Sequence, residues 1–252
     1  MKQGNVYRTK SALVLIALWL LLLAGCGDAP VSSVPLSSAP APVASGLDDS
    51  LLDVYDNDKP IAQVGDVTVY HSTIVNMMRK SKTALDNNLA LYDQLKATDP
   101  NEAATIWEQI EALRREVAKS EGQVIREYAL LEAAFQKALQ RHTAASYDDA
   151  YAFVKDNWEV VKEEAQKADE QVAQESYQFL LKYMQKKGLD ETAYLQEAAR
   201  SVQRENTLIQ LKKAYFPDHT ATYYSAEQED AFYTYLADWT KDVTITYFYE
   251  EG

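Results

Sequence analysis

From Ile74 onward, apolar residues return at steps of three and four, and no other feature of this chain restricts its fold as strongly. Ile74, Met77, Met78, Leu85, Leu89, Tyr92 and Leu95 form one such series. Ala103, Ile106, Ile110, Leu113 and Val117 form a second, and Val124, Tyr128, Leu131, Phe135 and Ala138 a third. This is the period of a helix that buries one stripe and leaves the rest in water. Only Gly65, Gly122 and Gly188 interrupt the chain between residue 59 and its last residue, so glycine-dependent loops are scarce.

Capping residues divide the periodic stretch. Asp99, Pro100 and Glu102 suit the cap, first and third positions of a helix. The two series on either side then form an antiparallel hairpin of long helices, with its extended part over 81–121. If the second helix runs unbroken to Arg141 it is about 60 Å long, and Gly122 is where it kinks or leaves the globular body. Ser146 with Asp149 opens the next helical stretch, which Gly188 closes after Lys186 and Lys187; Asp190 opens another, which Pro217 ends. Ser225 with Gln228 opens the last helix, through Trp239. Its Phe232, Leu236 and Trp239 are expected to pack on a sheet.

The two ends read differently. Ile61–Val64 and Val67–Tyr70 are β-prone runs around Gly65-Asp66, a pair that supplies the positive φ angles of a tight hairpin. At the other end Val243, Ile245, Tyr247 and Tyr249 alternate with Thr244, Thr246 and Phe248, as in a half-buried strand. A lone strand exposes unpaired backbone groups, so it is expected to join the hairpin. The fold class is therefore mainly α, with an extended antiparallel helical hairpin and a small β-sheet joining the N- and C-terminal segments.

The only cysteine, Cys26, follows Lys2, Arg8 and Lys10 and an apolar run from Ala12 to Ala24. That layout is a secretory signal peptide over 1–25, too short for a membrane span. Leu23-Ala24-Gly25-Cys26 resembles the lipobox of bacterial lipoproteins, which makes Cys26 the lipidation site and places the protein outside the cell membrane, lipid-anchored and extracytoplasmic. Two or more acyl chains give stable anchoring. Residues 26–58 then form a tether: 27–50 hold four of the seven prolines amid Ser and Ala, with no aromatic residue. As a coil this spans about 25–30 Å.

All 38 acidic residues lie beyond Cys26, while three of the 25 basic ones lie before it; the remaining 22 leave an excess of 16 negative charges. Such a field repels nucleic acid and anionic headgroups and favours basic partners.

The order of these elements resembles the N-terminal chaperone module of the SurA/PrsA family of extracytoplasmic folding factors. The family's opening V-N-G-x-x-I-T-x-S-x-F is similar to the run from Val64 to Ile74, with Gly65-Asp66 in place of Asn-Gly. "VIREYALLEAAFQKAL" (124–139) looks like its L-I-D-E-x-L-L-x-x-A-x-K helix, "LLKYMQKKGLDETAYLQEAARSVQRENTLIQLKK" (180–213) like its Y-L-x-x-x-G-L signature, and "DVTITYF" like its closing strand. The resemblance runs from about residue 60 to 249, interrupted near 81–121, and makes 59–252 one chaperone domain. A parvulin rotamase domain needs about 90 residues with several loop glycines and has no room here. The resemblance thus implies a holdase for unfolded or secreted polypeptides, without prolyl isomerase activity; a structural or adaptor lipoprotein with one fixed envelope or secretion-complex partner is the alternative.

Enzyme signatures are absent from the sequence. His71, His142 and His219 lie far apart with no HExxH frame, no GxSxG or phosphate loop occurs, and no cofactor is expected. "DVYDND" (53–58) offers carboxylates but lacks the glycine and late Glu of a calcium loop, and reads as a solvated linker end rather than a metal site. Tyr and Met surfaces adapt to varied peptides, so Met77, Met78, Tyr183 and Met184 are the candidate peptide-binding residues.

Overall fold

The computed structural model describes residues 49–167, 171–219 and 224–248. Residues 1–25, read from sequence as a signal peptide, Cys26 and the part of the expected tether up to residue 48 lie outside the described residues. The chain is mainly helical with a three-stranded antiparallel sheet. A 3-10 turn, Asp49–Tyr55, precedes strands β1, Pro60–Val64, and β2, Val67–Tyr70. Helices α1, His71–Leu95, α2, Pro100–Val117, and α3, Glu121–Gln140, follow. Then come α4, Tyr147–Ala165, α5, Gln171–Lys187, α6, Glu191–Tyr215, α7, Ala226–Trp239, and β3, Ile245–Tyr247. Contacts group the described residues into two units, one of 49–57 with 145–205 and another of 58–144 with 206–248.

In the second unit the strand order is β2-β1-β3, so the last strand lies beside the first. Gly65, at φ 52, makes the tight turn between β1 and β2, and Gln63 faces both Thr68 and Thr246. Gly65 N–H donates to Thr244 O and Phe248 N–H to Ile61 O, each at 2.9 Å. The expected union of the two ends in one sheet is thus present, with a strand shorter than the alternating run. Ala62, Val64 and Val69 share the inner face and pack with Ile74, Ile125 and Ala129. The alanines of α3 allow its backbone close to β1, and Gln136 Nε2 donates to Val64 O at 2.7 Å.

The helical hairpin is α1 against α2. Asp99 accepts the Glu102 N–H at 3.1 Å, with Pro100 in the first turn as read from sequence. Ala103, Ile106 and Ile110 are the buried positions of α2, and Asn88 Nδ2 donates across the hairpin to Gln109 Oε1 at 3.2 Å. The unbroken helix to Arg141 does not form. Ser120 accepts the Gln123 N–H at 3.3 Å while Gln123 Oε1 accepts the Ser120 N–H at 2.8 Å. This reciprocal cap starts α3 afresh, and Gly122 lies inside its first turn rather than at a kink.

The last helix also departs from expectation. Phe232 and Leu236 of α7 pack with Leu131 and Ala134 of α3 and with Leu208, not on the sheet. The reason is that α3 buries two faces: Ile125, Ala129 and Ala133 meet the sheet, while Leu131 and Ala134 meet α7. The sheet's inner face is already covered.

In the first unit Trp158 of α4 is fully buried, with ring centroids 5.5 Å from Tyr177 and 5.4 Å from Tyr194. Val154, Val161, Leu180, Leu195 and Ala199 complete this core. Gly188, at φ 65, ends α5: Leu189 N–H reaches Met184 O at 2.8 Å and Gly188 N–H reaches Gln185 O at 3.1 Å, the paired bonds of a glycine C-cap. Asp190 Oδ1 accepts the Ala193 N–H at 2.7 Å and opens α6. The 3-10 turn Asp49–Tyr55 lies inside the stretch read as tether, and its Leu52 is buried. Among the described residues no helix is long and apolar enough to cross a membrane.

Candidate functional site

Tyr183 and Met184 are adjacent in α5 and point to different environments, as neighbours on a helix must. Met184 is 6% exposed within the Trp158 core. It is therefore a packing residue, and the expectation that it faces clients does not hold. Tyr183 is half-buried at the edge of that core. Its ring meets Tyr55 edge-on at 5.3 Å, and its hydroxyl donates to Glu197 Oε1 at 3.2 Å. Burial, with the Glu197 carboxylate beside it, pushes that hydroxyl well above the ordinary tyrosine range, so it stays a neutral donor.

What covers Tyr183 is the chain itself. Tyr55 sits under Lys187 Nζ, 5.5 Å from the ring centre, and Asp56 pairs with Lys186 at 2.6 Å. Leu52 is buried one turn before Tyr55. An open surface depression of about 390 Å³ remains beside them, lined by Leu52, Asp53, Lys182, Gln185 and Lys186. Sequence reading missed this contact. Its signal was the apolar set Leu51, Leu52, Val54 and Tyr55, which breaks the Pro/Ser/Ala composition upstream.

Met77 and Met78 belong to the second unit, Tyr183 and Met184 to the first. Both are half-buried against the cluster of Ile61, Val64 and Ile74.

The second unit holds a larger aromatic array. Phe232, Tyr235 and Trp239 recur at steps of three and four and so share one face of α7. Phe232 is buried, Tyr235 and Trp239 are half-buried, and Tyr215 of α6 is 38% exposed. Tyr215 and Tyr235 stack at 4.6 Å and Tyr235 and Trp239 lie parallel at 6.3 Å. Arg141 and Lys137 approach the Trp239 ring at 5.7 and 5.9 Å, within cation–π reach. The array thus grades from core to solvent and carries cations at one end.

Beside it, Lys212 pairs with Glu229 at 2.6 Å and lies 4.4 Å from the Tyr224 ring. His219 stacks on Tyr224 at 4.0 Å. The other histidines serve local structure: His71 Nε2 lies 3.0 Å from Glu121 Oε1, and His142 takes a positive φ of 55 after α3. Among the described residues no group of three His, Cys, Asp or Glu side chains is placed to hold a metal ion.

No protein-family model matches the chain, and no curated protein and no solved structure matches it either.

Proposed function

We propose that this chain is a membrane-anchored extracytoplasmic chaperone of the holdase type, which binds unfolded or secreted polypeptides and has no prolyl isomerase activity. The observation that carries this reading is the half-exposed array of Tyr215, Tyr235 and Trp239. Broad rings with polar edges hold segments of varied sequence without fixed geometry. The resemblance of Leu23–Cys26 to a lipobox and of the element order to SurA/PrsA folding factors supports the setting and the class. An adaptor with one fixed partner is the second reading, favoured by Trp107, 39% exposed on the long α1–α2 hairpin.

Light scattering of several unfolding clients, with the protein equimolar and no ATP, tests the proposal. Aggregation should slow with the wild type and slow less with the Tyr235→Ala, Trp239→Ala double variant. Prolyl isomerisation in a test peptide should keep its uncatalysed rate, tens of seconds or longer. Unchanged aggregation across all clients would overturn the holdase reading, and crosslinking in cells to one recurring protein would then establish the adaptor.

A further inference from the structure

Residues 49–56, "DSLLDVYD", alternate carboxylates with apolar side chains and end an otherwise Pro/Ser/Ala-rich stretch. On α5 they meet a basic strip. Lys182, Lys186 and Lys187 lie within two turns of each other, in a chain whose charge is otherwise strongly negative. The match is chemical as well as spatial. Leu52 is buried, and Tyr55, three residues on, packs on Tyr183; a 3-10 turn superimposes residues at this spacing, so both side chains leave the same side. Asp56 pairs with Lys186 and Lys187 lies over Tyr55.

The fit is incomplete. An open surface depression of about 390 Å³ is lined by both partners, Leu52 and Asp53 from the turn and Lys182, Gln185 and Lys186 from α5. The ion pair is exposed, with Asp56 at 56% and Lys186 at 30%, and such pairs hold weakly and are screened by salt. The buried Leu52 and the aromatic edge contact of Tyr55 are the apolar anchors of the segment. A segment docked in this way exchanges with an open form far more readily than a core helix.

We propose that this face of α5 is a docking site for short acidic polypeptide segments with an aliphatic and an aromatic anchor one turn apart, and that residues 49–56 are its built-in, displaceable occupant. Covalent attachment gives the strap a high effective concentration at the groove. A free segment binds only when the strap is open. A strap closed nine-tenths of the time weakens the apparent affinity about tenfold. The acidic body favours basic chains, whereas this groove selects acidic ones, so the site stands apart from the holdase proposal and either can fail alone.

The test uses the full chain and a fluorescent peptide of the strap sequence, DSLLDVYDND, followed by anisotropy. The Leu52→Ala, Tyr55→Ala double variant, its own strap disabled, should bind the peptide about tenfold or more tighter than the wild type. A peptide with alanine at both anchors should not bind, and Lys186→Glu added to the double variant should weaken binding. Equal binding by wild type and double variant, no binding by a folded double variant, or equal binding of a basic peptide of the same length would overturn the proposal. If the double variant loses its helical signal, amide exchange on the wild type decides. Strap amides should exchange about a hundredfold faster than those of Leu180 to Met184; equal protection would make the strap part of the core and refute displacement.

Discussion

Replacing Gly65 with alanine probes the turn on which the small sheet depends. Gly65 has a φ of 52, a conformation that costs a residue with a Cβ about 1–2 kcal/mol. The added carbon would also lie 2.4 Å from Gln136 Oε1, so the amide must swing away. That movement breaks the 2.7 Å bond from Gln136 Nε2 to Val64 O, worth about 0.5–1.5 kcal/mol net. Gly65→Ala should therefore cost about 2–3 kcal/mol. Gln136→Ala alone should cost about 1 kcal/mol, the value of the bond. In the double variant the bond is lost once, not twice, so the total should fall short of the sum of the single effects by about 1 kcal/mol. Urea unfolding read through amide exchange at Val64 and Val69 keeps the measurement within the second unit. Strictly additive effects, or a Gly65→Ala variant within about 0.5 kcal/mol of wild type, would refute the coupling between turn and helix.

Truncation before Val243 should remove the partner of β1 together with the packing of Val243 and Ile245 on its cluster; a loss of about 2–4 kcal/mol, with faster exchange at Gln63, is expected by hydrogen exchange and urea unfolding. The hydrogen bond from buried Lys137, helped by backbone, holds Asp242 below the ordinary carboxylate value of 3.8. A depressed carboxylate stabilises the fold fully above its unfolded value, and that share is lost as pH falls through the folded one. Acidification below pH 3.8 should thus loosen the approach to β3, seen as an earlier rise in exchange at Val243 than in α3, and Asp242→Asn should abolish the pH dependence of that rise. On the lipobox reading of Cys26, Cys26→Ser should release or mislocalise the protein in cell fractionation, because the acyl chains proposed for that residue would be missing; membrane retention at wild-type level with residues 1–25 removed would sink that reading.

The helix starts were legible because each is decided within four residues. Asp99 with Glu102, Ser146 with Asp149, Asp190 with Ala193 and Ser225 with Gln228 all close the bonds that their side chains offer to the nearest free N–H groups. Gly188 is legible for the same reason, since a helix end in a left-handed conformation selects glycine. The return of β3 to β1 was also readable, because unpaired strand edges must find partners and few strands were available. The Ser120–Gln123 cap lay in plain view as well, yet the apolar period running past it suggested continuity.

Partner choice was not legible. Leu131 and Ala134 differ little in character from Ile125 and Ala129, and only the assembled second unit shows which pair meets α7 and which meets the sheet. Likewise Tyr183 and Met184 are equal in a sequence window, but a helix turns by about 100° per residue, which sends one into the Trp158 core and leaves the other under Tyr55. The sequence by itself determined the capped helix starts at Asp99, Ser146, Asp190 and Ser225, the glycine stop at Gly188 and the sharing of one sheet by the first and last strands, because hydrogen-bonding groups and apolar periods act locally. Only the tertiary structure decided that residues 49–56 lie on α5 and that Tyr215, Tyr235 and Trp239 form one graded array, because apolar burial is non-directional and many faces compete for the same cover.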